Sequence, residues 1–274
     1  MIEAVLAGLF GLLIGSFLNV CIYRMPRDLS VVRPRSYCPN CETPIAWFDN
    51  VPVISYIRLR GRCRHCNASI PARYLIVELA AGLSLFSFVA ALGPTLMAAK
   101  FCLLAALLIG LIFADLEERI LPDEFTLGGT AAGLILAWYV PTDDPMFRML
   151  MTPFNLQWGD RAISLVNSLA GALLPTGLLW LTGYLFEKFR QKEGLGLGDV
   201  KMIAAIGAFL GLRGTMLTLV LGAAAGSIIG LIYIRITRKD SSEYPLPFGA
   251  FLGGAALVVA LGGQRVLDWY ASFF

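Results

Sequence analysis

Charge is scarce in this chain. Only 15% of its 274 residues are Asp, Glu, Lys or Arg and 57% are hydrophobic, whereas a soluble domain carries about 25% charged residues. A mean hydropathy of +0.72 agrees, and together these values exclude a soluble globular protein. The chain reads as an integral membrane protein, long enough for about eight spans of ~20 residues and one modest polar domain. No cleavable signal peptide is expected either. Met1-Ile2-Glu3 offers no basic start and no Ala-x-Ala site closes the first apolar run, so that run is expected to stay as a membrane helix. No internal repeat is visible, which counts against a transporter built from two related halves. No nucleic acid partner is expected.

What is present divides naturally. The first apolar run, residues 2–23, carries Gly8, Gly11, Gly15 and Ser16, small positions that let helices pack closely; Asn19 is its lone polar interruption. Residues 24–73 form the only extended polar segment, with nine Arg, no Lys, and Asp28, Glu42 and Asp49. Beyond it the apolar character returns, with spans expected at about 74–92, 95–114, 125–140, 162–186, 202–212, 216–234 and 248–263. Domains follow: 1–23 a first transmembrane helix, 24–73 a tethered polar domain, and 74–274 a membrane domain of about seven helices. The fold class is an all-α polytopic membrane protein.

Basic residues set the orientation, because cytoplasmic loops hold the excess of Lys and Arg. With 24–73 in the cytoplasm, seventeen of the 22 basic residues lie on that side, leaving Lys100, Arg148, Arg161, Arg213 and Arg265 at or near the other. Both termini then lie outside. Two acids at the ends of apolar runs, Asp115 and Asp199, fall on the same cytoplasmic face.

Four cysteines stand in a metal-ligand pattern. Cys38-x2-Cys41 and Cys63-x2-Cys66, 21 residues apart, match the spacing of structural zinc sites, whose tetrahedral Zn–S bonds of ~2.3 Å staple segments too small to build a core. Two disulfides are the rival reading, disfavoured in a reducing cytoplasm. Cys21 and Cys102 lie in apolar runs and read as small buried hydrophobes. His65, the only histidine, reads as a solvated knuckle residue.

The run Gly194-Leu195-Gly196-Leu197-Gly198-Asp199 invites a phosphate-loop reading. It lacks the preceding strand and the G-x-G-x-x-G spacing of that motif, and an acid sits where the phosphate would be. Gly196 and Gly198 read instead as places where the backbone comes close to a substrate chain. Asp199 could be a simple helix cap, but Asp115 ends a helix, where the macrodipole disfavours an anion. Asp123, after Pro122, looks like the cap of the next span, and Glu117 and Glu118 look solvated. Two carboxylates in one site share a proton, so one can activate water while the other donates, with no metal and no covalent intermediate. Proton-coupled transport also uses intramembrane acids, usually near the midplane.

At this point the residues closely resemble the prepilin peptidases, membrane aspartic proteases of type IV pilus and type II secretion systems. The resemblance covers nearly the whole chain, through Gly15-Ser16-Phe17-Leu18-Asn19-Val20, Tyr23-Arg24-Met25-Pro26, Cys38-Pro39-Asn40-Cys41, Asp49-Asn50-Val51-Pro52, Leu59-Arg60-Gly61-Arg62-Cys63, Arg73-Tyr74 and Glu78. Asp115 eight residues before Asp123, Gly196-Leu197-Gly198-Asp199 and Pro247-Phe248-Gly249 continue it. The resemblance implies that Asp115 and Asp199 are the catalytic pair and Asp123 is not. It also implies cleavage of prepilin or pseudopilin leaders after a Gly on the cytoplasmic side of the bacterial inner membrane. N-methylation of the new terminus with S-adenosylmethionine would follow, an activity that goes with the cysteine-bearing loop. Two departures from the family pattern are Ala250 in place of a proline and a long 141–161 loop. A zinc-stabilised scaffold for pilus assembly is the non-enzymatic alternative.

Overall fold

The computed structural model describes residues 1–142, 144–152, 158–190, 196–237 and 247–271. Gly194, Leu195, Lys192, Arg238, Lys239 and Asn155 lie outside the described residues. Among these the fold is all-helical, with no strand and two compact units, Met1–Ala114 and Asp115–Phe274.

In the first unit, α1 (Ile2–Arg24) and α3 (Arg73–Leu92) run antiparallel against each other. Gly8, Gly11 and Gly15 face Phe86, Gly82 and Glu78 in turn, so the small positions of α1 do bring the two backbones together,. Asn19 donates its Nδ2 to the Tyr74 carbonyl at 3.0 Å, giving this buried polar residue of α1 an interhelical partner. Between these helices the chain 25–72 has little regular structure beyond α2 (Ile54–Arg58). Gly93, at φ 69°, ends α3. The next helix, α4 (Leu96–Glu118), starts three residues later and stacks Phe101 on Phe88 with ring centroids 5.5 Å apart.

The second unit holds α5 (Asp123–Tyr139), the short α6 (Pro145–Met151), α7 (Asp160–Arg190), α8 (Leu197–Thr237) and α9 (Phe248–Ala271). Two separate spans were expected within α8, parted at Arg213-Gly214-Thr215. The break instead falls at Gly211, with φ 70° and ψ −176°, a conformation essentially reserved for glycine. The amide of Leu212, orphaned by that break, donates to Asn167 Oδ1 of α7 at 3.0 Å, and the Thr215 hydroxyl donates to the Gly211 carbonyl at 2.6 Å. Asn167 thereby closes the broken ladder,.

Among the described residues, five helices are long and apolar enough to cross a membrane: α1, α3, α4, α7 and the 197–233 stretch of α8. The count of about eight is not reached by that measure, since α5 has 17 residues, the described apolar part of α9 is shorter still, and the two arms of α8 count as one. The molecule is a multi-pass membrane protein.

Candidate functional sites: a four-cysteine centre and a pair of carboxylates

The polar segment is built as two copies of one turn. Cys38 N–H donates to the Thr43 carbonyl and Glu42 N–H to the Cys38 carbonyl; Cys63 N–H and Asn67 N–H repeat the pattern with Ala68 and Cys63. Glu42 and Asn67, one residue after each second cysteine, share a left-handed backbone at φ 55° and 56°. Each turn aims two sulfurs at a common centre. The four Sγ atoms of Cys38, Cys41, Cys63 and Cys66 all lie within 4.8 Å of one another, with Cys38 and Cys66 at 3.8 Å. A tetrahedron with Zn–S bonds of ~2.3 Å has edges of about 3.8 Å, so the donor set fits a structural metal ion.

The thiols differ in how readily they ionise. Burial pushes Cys38 up to about 11. The others are drawn below the ordinary thiol range by hydrogen bonds to sulfur: Cys41 by the Thr43 hydroxyl, Cys63 by the backbone N–H of Cys66, Cys66 by the backbone N–H of Ala68. Outside the cluster, Asp49 takes a two-pronged contact from Arg64 (both 2.6 Å) and a third from Arg58 (2.8 Å). Arg64 above all holds the Asp49 carboxyl below the usual carboxylate range. His65 stays outside the sulfur cluster and exposed.

The carboxylates meet in the second unit. Asp115 lies in the last turn of α4 and is buried. Asp199 is the third residue of α8, past the capping position, with its N–H and that of Val200 turned to the Gly196 carbonyl. Their meeting point is the start of α9. A Cβ placed on Gly249 would lie 3.0 Å from Asp199 Oδ1 and 3.1 Å from Asp115 Oδ2, so the two oxygens are no farther apart than these distances combined. Ala250 N–H, one of the free amides of the first turn of α9, donates to Asp115 Oδ2 at 2.9 Å, which sets the positive end of that helix against the pair.

The neighbouring residues sort themselves around this point. Asp123 is the first residue of α5, exposed, and binds Lys201 Nζ with both oxygens at 2.7 and 2.9 Å. It makes a surface ion pair, not the side-chain cap expected of it. Gly198 is pressed against Leu121, whose Cδ1 is 3.1 Å from its Cβ position, while Gly196 is exposed and has only Asp199 at 3.7 Å. The α9 start was missed as part of the site because its contribution is made by backbone, which no side-chain pattern reveals; the glycine after Pro247-Phe248 was the only signal.

Residues 9–92 match the family described as Bacterial Peptidase A24 N-terminal domain, and residues 102–231 match the Type IV leader peptidase family. The first range contains the four cysteines of the cluster and the second both carboxylates. A protein of Aeromonas hydrophila named prepilin leader peptidase/N-methyltransferase is 34% identical over 97% of this chain and 93% of its own length. Proteins of the same name from Legionella pneumophila (35%, over 97% and 94%) and Myxococcus xanthus (36%, over 86% and 64%) are also similar. The chain belongs to the type IV leader peptidase family. As a leader peptidase relative it joins an N-terminal part bearing the cysteine centre to a part bearing the carboxylates. No solved structure matches it.

Proposed function

We propose that the chain is a bifunctional prepilin leader peptidase and N-methyltransferase of the bacterial inner membrane, in which Asp115 and Asp199 hydrolyse the peptide bond after the leader glycine. The observation that carries this reading is the convergence of both carboxylates over Gly249. Two carboxyl groups so close hold one proton between them more readily than two charges. The ionised member takes a proton from water as the oxygen bonds to the scissile carbonyl carbon; the protonated member supports the carbonyl oxygen. The C–N bond then breaks and the leaving amine takes up the proton. Ala250 N–H holds Asp115 in place for this work. Gly196 and Gly198, at the start of α8, would lie alongside the substrate backbone.

The tethered domain 24–73 would be held by one structural zinc on Cys38, Cys41, Cys63 and Cys66, which ties its two turns together. Methylation of the freed terminus by S-adenosylmethionine is supported by the names of the similar proteins, and no residue is assigned to that step. Cytoplasmic placement of both sites, with both termini periplasmic, rests on the distribution of Lys and Arg. Membranes containing the protein, incubated with a prepilin and S-adenosylmethionine, are expected to yield a product shortened by the leader up to its glycine and heavier by one methyl group. An unshortened prepilin would overturn the peptidase, and a shortened but unmethylated product the second activity. A proton-coupled transporter would leave the prepilin intact.

A further inference from the structure

The segment around α2 is folded inside out. The buried residue of α2 itself is polar, Pro52 being the other buried residue of 47–57: Ser55 is 6% exposed, donates its hydroxyl to the Phe48 carbonyl at 3.1 Å and accepts Val51 N–H at 3.1 Å. Four of its large apolar side chains face outward, with Trp47 76%, Ile54 64% and Ile57 65% exposed and Phe48 43%. In water this arrangement wastes the hydrophobic effect, because the aromatic and branched groups stay hydrated while a hydroxyl is buried. It is the arrangement expected where the surroundings are apolar.

A hydrogen bond fixes where those surroundings are. Val53 N–H donates to Glu78 Oε2 at 2.7 Å. Glu78 lies on α3 five residues past its first residue, Arg73, roughly 7.5 Å along the axis at about 1.5 Å per residue, and it also bonds the Ser16 side chain of α1. Both helices are long and apolar enough to span the membrane. The loop is thus pinned to the hairpin inside the ends of its spans, and Ile54 follows Val53 directly. Arg60 and Arg62, both exposed, flank the apolar group with positive charge.

We propose that residues 47–57 form an interfacial wedge, seated at the boundary of headgroups and acyl chains in the leaflet where α1 ends and α3 begins, with Arg60 and Arg62 over lipid phosphates. Tryptophan suits that depth, with its ring in the acyl region and its N–H among the headgroups, and the arginines favour anionic lipid. The Glu78 tether sets the depth. The wedge holds the cysteine-bearing domain flat against the membrane, and it is independent of whether Asp115 and Asp199 are catalytic.

The test uses the full chain with Trp138, Trp158, Trp180 and Trp269 replaced by Phe, so that Trp47 alone reports. Reconstituted into vesicles of brominated phosphatidylcholine and phosphatidylglycerol, Trp47 is expected to be quenched at least about twofold, more strongly by bromines near the headgroup than near the chain end. Dissolved iodide should quench it little, and added prepilin should leave the lipid quenching unchanged. Introducing Ile54→Asp and Ile57→Asp together should abolish most of the lipid quenching while zinc content per chain stays the same. Strong iodide quenching without bromolipid quenching, or persistence of the lipid quenching in the double variant, would overturn the proposal. Lipid quenching relieved by prepilin would also overturn it and give the surface to the substrate.

Discussion

A glycine at 249 leaves the room that two acids occupy. Adding one methyl group there would push on Asp199 Oδ1 and Asp115 Oδ2 at once, and displacements of that kind cost a catalytic pair heavily without unfolding anything. Gly249→Ala is therefore expected to lower the rate of leader cleavage by about 10²-fold while the purified protein keeps its melting temperature within a few degrees; cleavage at the parent rate would show that the carboxylates do not work at this point. Lys100 poses the opposite case. Its side chain is fully buried and its Nζ has no hydrogen-bond partner among the described residues, so it contributes an unrepaid desolvation cost. Lys100→Met keeps the length and removes the charge, and is expected to stabilise the protein by roughly 1–3 kcal/mol in thermal or denaturant unfolding with cleavage unchanged. A loss of stability would mean that the ammonium has a partner after all.

At the scale of the element, two devices hold shapes the helices would not take alone. The break in α8 depends on Gly211 for its backbone and on Asn167 for the amide it frees. Asn167→Ala leaves Leu212 N–H buried without an acceptor and is expected to cost about 1–3 kcal/mol, read as a lower melting temperature in detergent; no change would mean that the broken ladder is closed by other groups. The cysteine turns are the second device. Purified protein is expected to carry about one zinc per chain by metal analysis. Adding zinc to chelator-stripped protein near neutral pH should release protons, because the Cys38 thiol, pushed up to about 11 by burial, is protonated before metal binds,. Acidification works in reverse, protonating the thiolates and freeing the metal, and limited proteolysis within 24–73 should then accelerate. A metal content near zero in freshly purified protein would return these cysteines to the disulfide reading.

Over the whole molecule, the sequence was legible wherever side chains carry the information. Composition alone announces the membrane, and the Cys-x2-Cys spacing announces the centre. What could not be read was made by backbone or by distance along the chain. The α8 break sits at Gly211 and not at the more polar Arg213-Gly214-Thr215, because a helix breaks where its φ demands glycine and a partner can take the freed amide. Asp123 resembles a cap, yet a lysine 78 residues away claims it. The third party at the acid pair is an amide of α9, 135 residues from Asp115, and the Pro247-Phe248-Gly249 run beside it does not say which residue that amide meets. Everything proposed for this site requires that Asp115 and Asp199 act as a unit on a prepilin. The most direct test is leader cleavage in membranes holding the parent chain, Asp115→Asn, Asp199→Asn or the double variant at matched expression. Each single variant should lose about 10²–10⁴-fold in rate, and the double variant should be no worse than the weaker single one, as for residues that act together; cleavage near the parent rate by either single variant would contradict the account.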